Sequence, residues 1–525
     1  MSAGGRLRAF CGVACALLLA LAAPASAIDH ARLALLNRDA DTLSQTVERD
    51  EGGVLETLSV ARQLLDAAGI EAVDIDEPAG AEAFAARPAA ASSDLVVETA
   101  LLGPLLQAVA LETGNPGHRE LIEAASPSSG QALVLKKGAF TLASLLEAAA
   151  GQLEASEDGY RLKIPLFIAE GASLDLAEGD RLELATERGA FIVNEGYLSI
   201  AGSVVEGSAT AARVQDFHPF ILTVRGGRAD ISDSVLSGLG FDGQPLLSGL
   251  SFATSRFAGR RSSGAVTDTV LNDIRSVEAT GIADFRFENN RLNAARGIGL
   301  RLERVDGGMI RDNVIAASGQ HGLLMIGTRN TVVAGNVMAS NAGRGIFARD
   351  GVGHALIAEN VVIGNGSEGM TVTGAACIDI LGNAALRNRG DGIAVAQSLG
   401  TRIESNLLLR NQGAGISLTD AISPDDETRI AGNLFFANVS GISAERFARM
   451  VLSGNDLSNQ LPVMFAGALQ YETPRYLTFK RNQAEGDAGA FSISAVGAAA
   501  PSLFKGNRGQ FRLADFTGCD RERGA

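Results

Sequence analysis

"MIRDN" (309–313), "VVAGN" (332–336), "LIAEN" (356–360), "IDILGN" (378–383) and "RIESN" (402–406) each carry a strand-like run into an asparagine. The asparagines recur at intervals of 23, 24, 23 and 23 residues. A glycine followed by an aliphatic residue recurs in phase at Gly297, Gly322, Gly345, Gly369, Gly392, Gly415 and Gly441. A second asparagine falls between the two markers at Asn341, Asn365, Asn388, Asn411 and Asn438. A period this short leaves no room for two helices, and the Leu-x-x-Leu-x-Leu signature of leucine-rich repeats is missing. The pattern suits one coil of a parallel β-solenoid. Stacked asparagines at a turn can then bond one another's amides along the axis, at the strand spacing of about 4.8 Å.

Weaker copies extend the pattern both ways. "LSIAGSVVEG", "ADISDSVLSGLG" and "FRFENNRLNAARGI" precede the regular coils, and "RIAGNLFFANVSGI" and "MVLSGNDLSN" follow them. About a dozen coils are expected over residues 131–510, with 511–525 as a tail. A helical insert, "ASLLEAAAGQLEASEDG", interrupts the first strands. Residues 28–130 read as helical, with apolar residues three and four apart, and are expected to cap the open end of the sheet. "IDEPAGAEAFAARPAAASS" within them reads as a linker. The first residues hold Arg6 and Arg8, an apolar run from Ala9 to Ala23 and a small-residue "ASA" site, so residues 1–27 are expected to be a cleaved secretory signal. No later run is apolar enough to suggest a membrane span.

The chain has 525 residues, 46% of them hydrophobic, with 62 glycines and no tryptophan, a composition for many narrow aliphatic layers. Its net charge of −15 argues against a nucleic-acid partner. Of four cysteines, Cys11 and Cys15 lie in the signal. Cys377, in the strand-like "CIDI", reads as a small packed residue, and no disulfide framework with Cys519 is expected.

The segments "LFIAEGASLDL", "GAFIVNEGYLSI" and "FHPFILTVRGG", and the coils from Gly297 to Leu418, together resemble the periplasmic mannuronan C5-epimerases of alginate-producing bacteria over residues 131–450. The resemblance implies a right-handed parallel β-helix, periplasmic location and a polyuronate ligand. It also locates departures. Where the family has Asp-Pro-His-Asp after Gly-Ile, this chain reads Gly299-Leu300-Arg301-Leu302. Where the family has Lys-His-Gly-Ile-Ile and then an arginine, Gln320-His321-Gly322-Leu323-Leu324 keeps the histidine, and Gly327 replaces the arginine. Asp391-Gly392-Ile393 matches a later family segment, and His218 stands where the family tends to have arginine.

Alternation along each strand after the Gly-aliphatic marker puts Ile298, Leu300 and Leu302 inside and Gly299, Arg301 and Glu303 outside. The same register sends Leu324 and Ile326, Phe347 and Arg349, Thr371 and Thr373, Ala394 and Ala396, and Ser417 and Thr419 to one outer face. Arg301 and Arg349 then lie two coils apart, about 10 Å, and could each hold a uronate carboxylate; otherwise they are merely solvated cations. C5 epimerisation needs a base with pKa near the working pH and a cation for the charge gathering on the carboxylate. His321 is the candidate base and Arg301 or Arg349 the neutralising group. Arg304, Arg344, Asp391 and His218 complete the candidates as substrate-binding residues. The other acidic turn residues, Asp350, Glu368 and Asp420, read as solvated. No calcium-type cluster stands out, so neither metal nor cofactor is expected. Two alternatives stay open: a catalytically silent polysaccharide-binding or assembly protein, within a periplasmic polysaccharide-export complex, and a polyuronate lyase acting by β-elimination.

Overall fold

The computed structural model describes residues 30–49, 53–75, 94–125, 130–210, 214, 216–254, 259–421, 423, 427–460, 463–484, 490–494 and 519. The signal segment and almost all of the Ala/Pro-rich linker lie outside them.

Short parallel strands wind into a solenoid of about thirteen turns with coils of about 23 residues. Each coil adds one strand to each of three sheets. In one representative coil, sheet A holds Leu323–Ile326, sheet B Val332–Ala334 and sheet C Val337–Ala339. The register joins like residues into columns. Along the inner side of sheet A run Val277, Leu300, Leu323, Ile346, Met370, Ile393, Ile416 and Ile442, all fully buried. Small aliphatics dominate because facing sheets leave little width for larger side chains.

The asparagines build two ladders. At the turn from sheet B to sheet C, Asn290, Asn313, Asn336, Asn360, Asn383, Asn406, Asn433 and Asn455 each pass a bond along the axis. Asn336 Nδ2 donates to Asn360 Oδ1 at 2.9 Å, and the Asn336 backbone N–H donates to the same oxygen at 3.0 Å. At the turn from C to A, Asn341, Asn365, Asn388, Asn411, Asn438 and finally Gln460 do likewise. The second ladder explains the phased glycines by space. A Cβ on Gly345 would lie 2.2 Å from Val362 Cγ1 and 3.0 Å from Asn365 Nδ2.

The cap expected of residues 28–130 comes from a strand and not from the helices: Val96–Leu101 pairs antiparallel on the free edge of Gln131–Thr141, the first strand of sheet A. His30–Arg49 and Gly53–Ala67 lie along the outside of sheet C, burying Leu36, Leu43 and Leu64 against Val314, Val337, Val361, Leu386, Leu407 and Phe436. Sheet C is apolar on both sides there, so it needs cover along its length. Leu102–Thr113 and Gly117–Ala125 cover sheet A over the first coils, packing on Phe167, Val193 and Leu222. The N-terminal end of the core is closed by Leu142–Ala148, within the expected helical insert; its Leu142 and Leu145 join the core.

The last coil strand is Phe465–Gly467, short of residue 510. A helix, Thr473–Ala484, and an antiparallel strand, Phe491–Ser494, then close the other end, with Tyr476 meeting Phe465 and Phe491 edge to face. Cys377 does not stand as an isolated packed thiol. It forms a disulfide with Cys519, with Cα atoms 5.3 Å apart across 142 residues of sequence, a pairing that no local spacing could announce.

Candidate functional site

The outer face of sheet A changes character along the axis. Under the helical cover it is apolar. Ser251 and Glu278 on the following coils are buried, and Glu278 accepts from Leu246 N–H at 2.8 Å and Ser248 Oγ at 2.8 Å. Half-exposed polar residues begin one strand later, at Arg301, which sits in register with Glu278 behind it and Leu324 ahead. Next along that column come Phe347, Thr371, Ala394 and Ser417. A neighbouring column runs Glu303, Ile326, Arg349, Thr373, Ala396 and Thr419.

Arg301 and Arg349 therefore share the open face, in adjacent columns and two coils apart. Arg301 Nη2 donates to Glu303 Oε2 at 2.7 Å, and Arg349 pairs with Asp350 at 2.9 Å. In both, Nε has no acceptor among the described residues. Arg304, at the bend after the same strand, also pairs with Glu303, so one carboxylate is shared by two guanidinium groups and a positive excess remains.

The residue before each phased glycine forms a third file: His321, Arg344, Glu368 and Asp391 on successive coils. In this file a side chain can cap the next coil. Arg344 N–H donates to His321 Nδ1 at 3.0 Å, and Ala414 N–H donates to Asp391 Oδ1 at 2.7 Å. Gly343 and Gly413 leave the space, since a Cβ would come within 2.5 Å of His321 Nδ1 in the first case and press on Asp391 Oδ1 in the second. Asp391 Oδ2 accepts from Ser417 Oγ at 2.6 Å, so both oxygens are occupied.

His321, Arg344, Phe347, Glu368 and Thr371 form one contact group. The His321 ring meets Phe347 edge to face, 5.3 Å between centroids. The Arg344 guanidinium lies 4.4 Å from the centre of the Phe347 ring, and that of Arg349 5.7 Å. Arg344 Nε reaches Glu368 Oε2 at 2.7 Å and Thr371 Oγ1 at 3.0 Å. Burial, then the charges of Arg344 and Arg349, hold the His321 imidazole below its ordinary pKa against the pull of Glu368, so the ring is neutral at pH 7. Burial works to raise the Glu368 carboxyl, but hydrogen bonds from Ser367 and its own backbone, with the charge of Arg344, outweigh it and hold it below the usual range.

His321, Arg301, Arg344 and Arg349 thus fall on three consecutive coils, with Arg304 beside them. Asp391 is farther along, and His218 stands apart. It occupies the same corner of its coil four strands back, about 19 Å, in a recess of about 550 Å³ shared with Asp216 and Asp273. Sequence reasoning placed Phe347 on the outer face without a role and read Glu368 as solvated, whereas Glu368 is partly buried and paired with Arg344. The signal for Glu368 was present, since it precedes Gly369 as His321 precedes Gly322. Among the described residues no group of three or more His, Cys, Asp or Glu could hold a metal ion, and no helix is long and apolar enough to cross a membrane.

Comparison with known proteins sets this geometry beside others of the same fold. Residues 339–484 match the family described as right handed beta helix region. A mannuronan C5-epimerase of Pseudomonas aeruginosa is 30% identical over 122 residues, 21% of this chain and 22% of that protein, so the chain spans about a fifth of its curated relative's length in this match. The crystal structure of the periplasmic alginate epimerase AlgG covers 75% of this chain and 99% of its own, at 18% identity and a TM-score of 0.62. The strand order, the family match and the fold likeness agree on the architecture: this chain is a right-handed parallel β-helix protein, and its local sequence is similar to that of a mannuronan C5-epimerase.

Proposed function

We propose that this protein is an exported, polyuronate-directed β-helix that holds a linear anionic polysaccharide on the open stretch of sheet A, with Arg301 and Arg349 as its carboxylate contacts. The observation that carries the reading is a local cationic excess within three consecutive coils, where Arg301, Arg304, Arg344 and Arg349 face the three carboxylates of Glu303, Asp350 and Glu368, in a chain whose net charge is −15. An acidic protein that gathers a cationic excess on sheet A just beyond its helical cover favours an anionic ligand there. Guanidinium forks suit carboxylates, and the side chains of Arg301 and Arg349 are partly exposed on this face. The epimerases to which the chain is similar act on such a polymer, and a disulfide suits an oxidising periplasm.

A second reading, C5 epimerisation of mannuronate, draws on the likeness to mannuronan C5-epimerases, while the His321 Nδ1 lone pair is taken by the Arg344 N–H. It requires a lone pair of the ring to face the sugar and Arg301 or Arg349 to neutralise the carboxylate. Both readings are tested by incubating the mature protein with polymannuronate in deuterated water and following the polymer by proton NMR alongside a binding titration. Binding that weakens at least tenfold in the Arg301→Ala, Arg349→Ala double variant supports the proposal. Guluronate signals with deuterium at C5 would add the epimerase activity, unsaturated ends would make the protein a lyase, and absence of binding would overturn all of these.

A further inference from the structure

Resting on the polyuronate reading, we infer that His321 is a fixed hydrogen-bond donor that selects a carboxylate-bearing sugar, with Gly343, Arg344 and Phe347 as its positioning residues. The argument starts from the ring's two nitrogens. The neutral imidazole has one lone pair and one N–H, and the partner of one nitrogen dictates the state of the other. Nδ1 accepts the Arg344 backbone N–H at 3.0 Å. The lone pair is therefore directed along the solenoid axis into the next coil, and the proton sits on Nε2. This follows from the hydrogen-bond network, as tautomers do.

Protonation of the ring would place a second N–H on Nδ1 against the Arg344 N–H, two donors facing each other. The surrounding charges act in the same direction, since Arg344 and Arg349 both disfavour an imidazolium. The ring is also held sideways. Phe347 stands against its edge, and Gly343 gives Nδ1 the space that any other residue would fill. Arg344 is in turn tied to Glu368 and Thr371 and stacked on Phe347, so its guanidinium is committed to the wall of the site and its backbone N–H is held where Nδ1 needs it.

A neutral ring in this state is a donor at Nε2 and has no basic nitrogen left for a sugar C–H. Beside Arg301 and Arg349 it supplies a third, uncharged donor, whose bond to a charged carboxylate oxygen is stronger than its bond to a sugar hydroxyl. Arg344 leaves the set of candidate ligand contacts and becomes a positioning residue.

The first test needs no ligand. Nitrogen-15 NMR of the imidazoles at pH 7 should show His321 with a bare Nδ1 and a protonated Nε2; a proton on Nδ1, or a charged ring, overturns the inference. The second test compares polymannuronate with its carboxyl-reduced, uncharged counterpart. His321→Phe, which keeps the ring and removes the donor, should lower the preference for the charged polymer about tenfold. Gly343→Ala, which displaces the ring without touching the donor, should do the same and move the His321 nitrogen signals. An unchanged preference in both variants refutes the selective role. If wild-type protein binds neither polymer, the polyuronate reading fails, and with it the selectivity, while the tautomer is still decided by the ligand-free spectra.

Discussion

Asn360→Ala tests the ladder that holds the coils in register. Asn360 is fully buried; its Oδ1 accepts from Asn336 N–H at 3.0 Å and Asn336 Nδ2 at 2.9 Å, while its Nδ2 donates to Val333 O at 2.8 Å and Asn383 Oδ1 at 2.9 Å. Alanine leaves one group stranded, the Asn336 backbone N–H, which loses this acceptor; the Val333 carbonyl loses this donor but keeps its place in the parallel ladder with the next strand of sheet B. The other partners keep a bond, because Asn383 Oδ1 still accepts from the residue-360 N–H and Asn336 Nδ2 still reaches Ile310 O and Ala334 O. A buried polar group left unpaired costs about 1–3 kcal/mol, and the expected loss is of that size. Equilibrium urea denaturation followed by far-UV circular dichroism measures it. Asn360→Asp gives a sharper sign. It keeps the acceptor for Asn336 but removes both donors and faces Asn383 Oδ1 with a buried charge, so it should be at least as damaging as alanine. Asn330→Gly, at an exposed bend where Asn330 bonds Asp306 at 2.8 Å, is the control and should change stability by about 0.5 kcal/mol or less. A loss below 1 kcal/mol for Asn360→Ala, or a well-tolerated aspartate, would refute the ladder as the source of register.

Three further outcomes follow from other parts of the molecule. His118, under the helical cover of sheet A, is held down to about 4 by burial, and its Nε2 has no acceptor among the described residues. A histidine whose folded pKa lies below its unfolded value loses stability as pH falls between the two. About 3 kcal/mol should therefore disappear between pH 6.5 and pH 4, and His118→Gln should flatten a plot of unfolding free energy against pH in that window. Reduction of Cys377–Cys519 frees a span of 142 residues in the unfolded chain, for which chain entropy gives an upper figure of about 5 kcal/mol; thermal melts with and without reductant, and with Cys377→Ser, should both show a lower Tm, and an unchanged Tm would mean that the bridge constrains little. Polymer binding through Arg301 and Arg349 should fall steeply between 50 and 300 mM salt and the double alanine variant should lose that slope, as a titration at several ionic strengths would show.

The solenoid was legible because its determinants repeat. One asparagine at the end of a run says little, but five at a period of 23 with a glycine in phase define a coil, and the outer-face residues then follow from alternation alone. The site was legible where a side chain stood in a phase fixed by the repeat, as His321, Arg301 and Arg349 do. What escaped depends on contacts between coils. Nothing in the sequence says that Arg344 turns its guanidinium onto Phe347 and Glu368 while its backbone holds His321. The place of the N-terminal helices escaped for a similar reason. Their apolar stripe announces that they cover something, and sheet C, apolar outside as well as in, decides what. The disulfide crosses 142 residues and left no mark in either neighbourhood.

The helices lying along sheet C have a mechanical consequence for the opposite side of the molecule. A stack of repeats touching only its neighbours can open one unit at a time. Here a single helical pair bonds to strands spread from Val314 to Phe436 and is pinned at intervals, with Arg62 on Asp312 and Arg387 on Asp41 and Asn37. It works as a splint. The coils bearing Arg301, His321, Arg344 and Arg349 fall within or beside the bound span, so none of them can loosen without lifting the splint from all the others. A long polymer pulled along sheet A would then load the splinted coils as one beam, and the spacing of its contacts would hold.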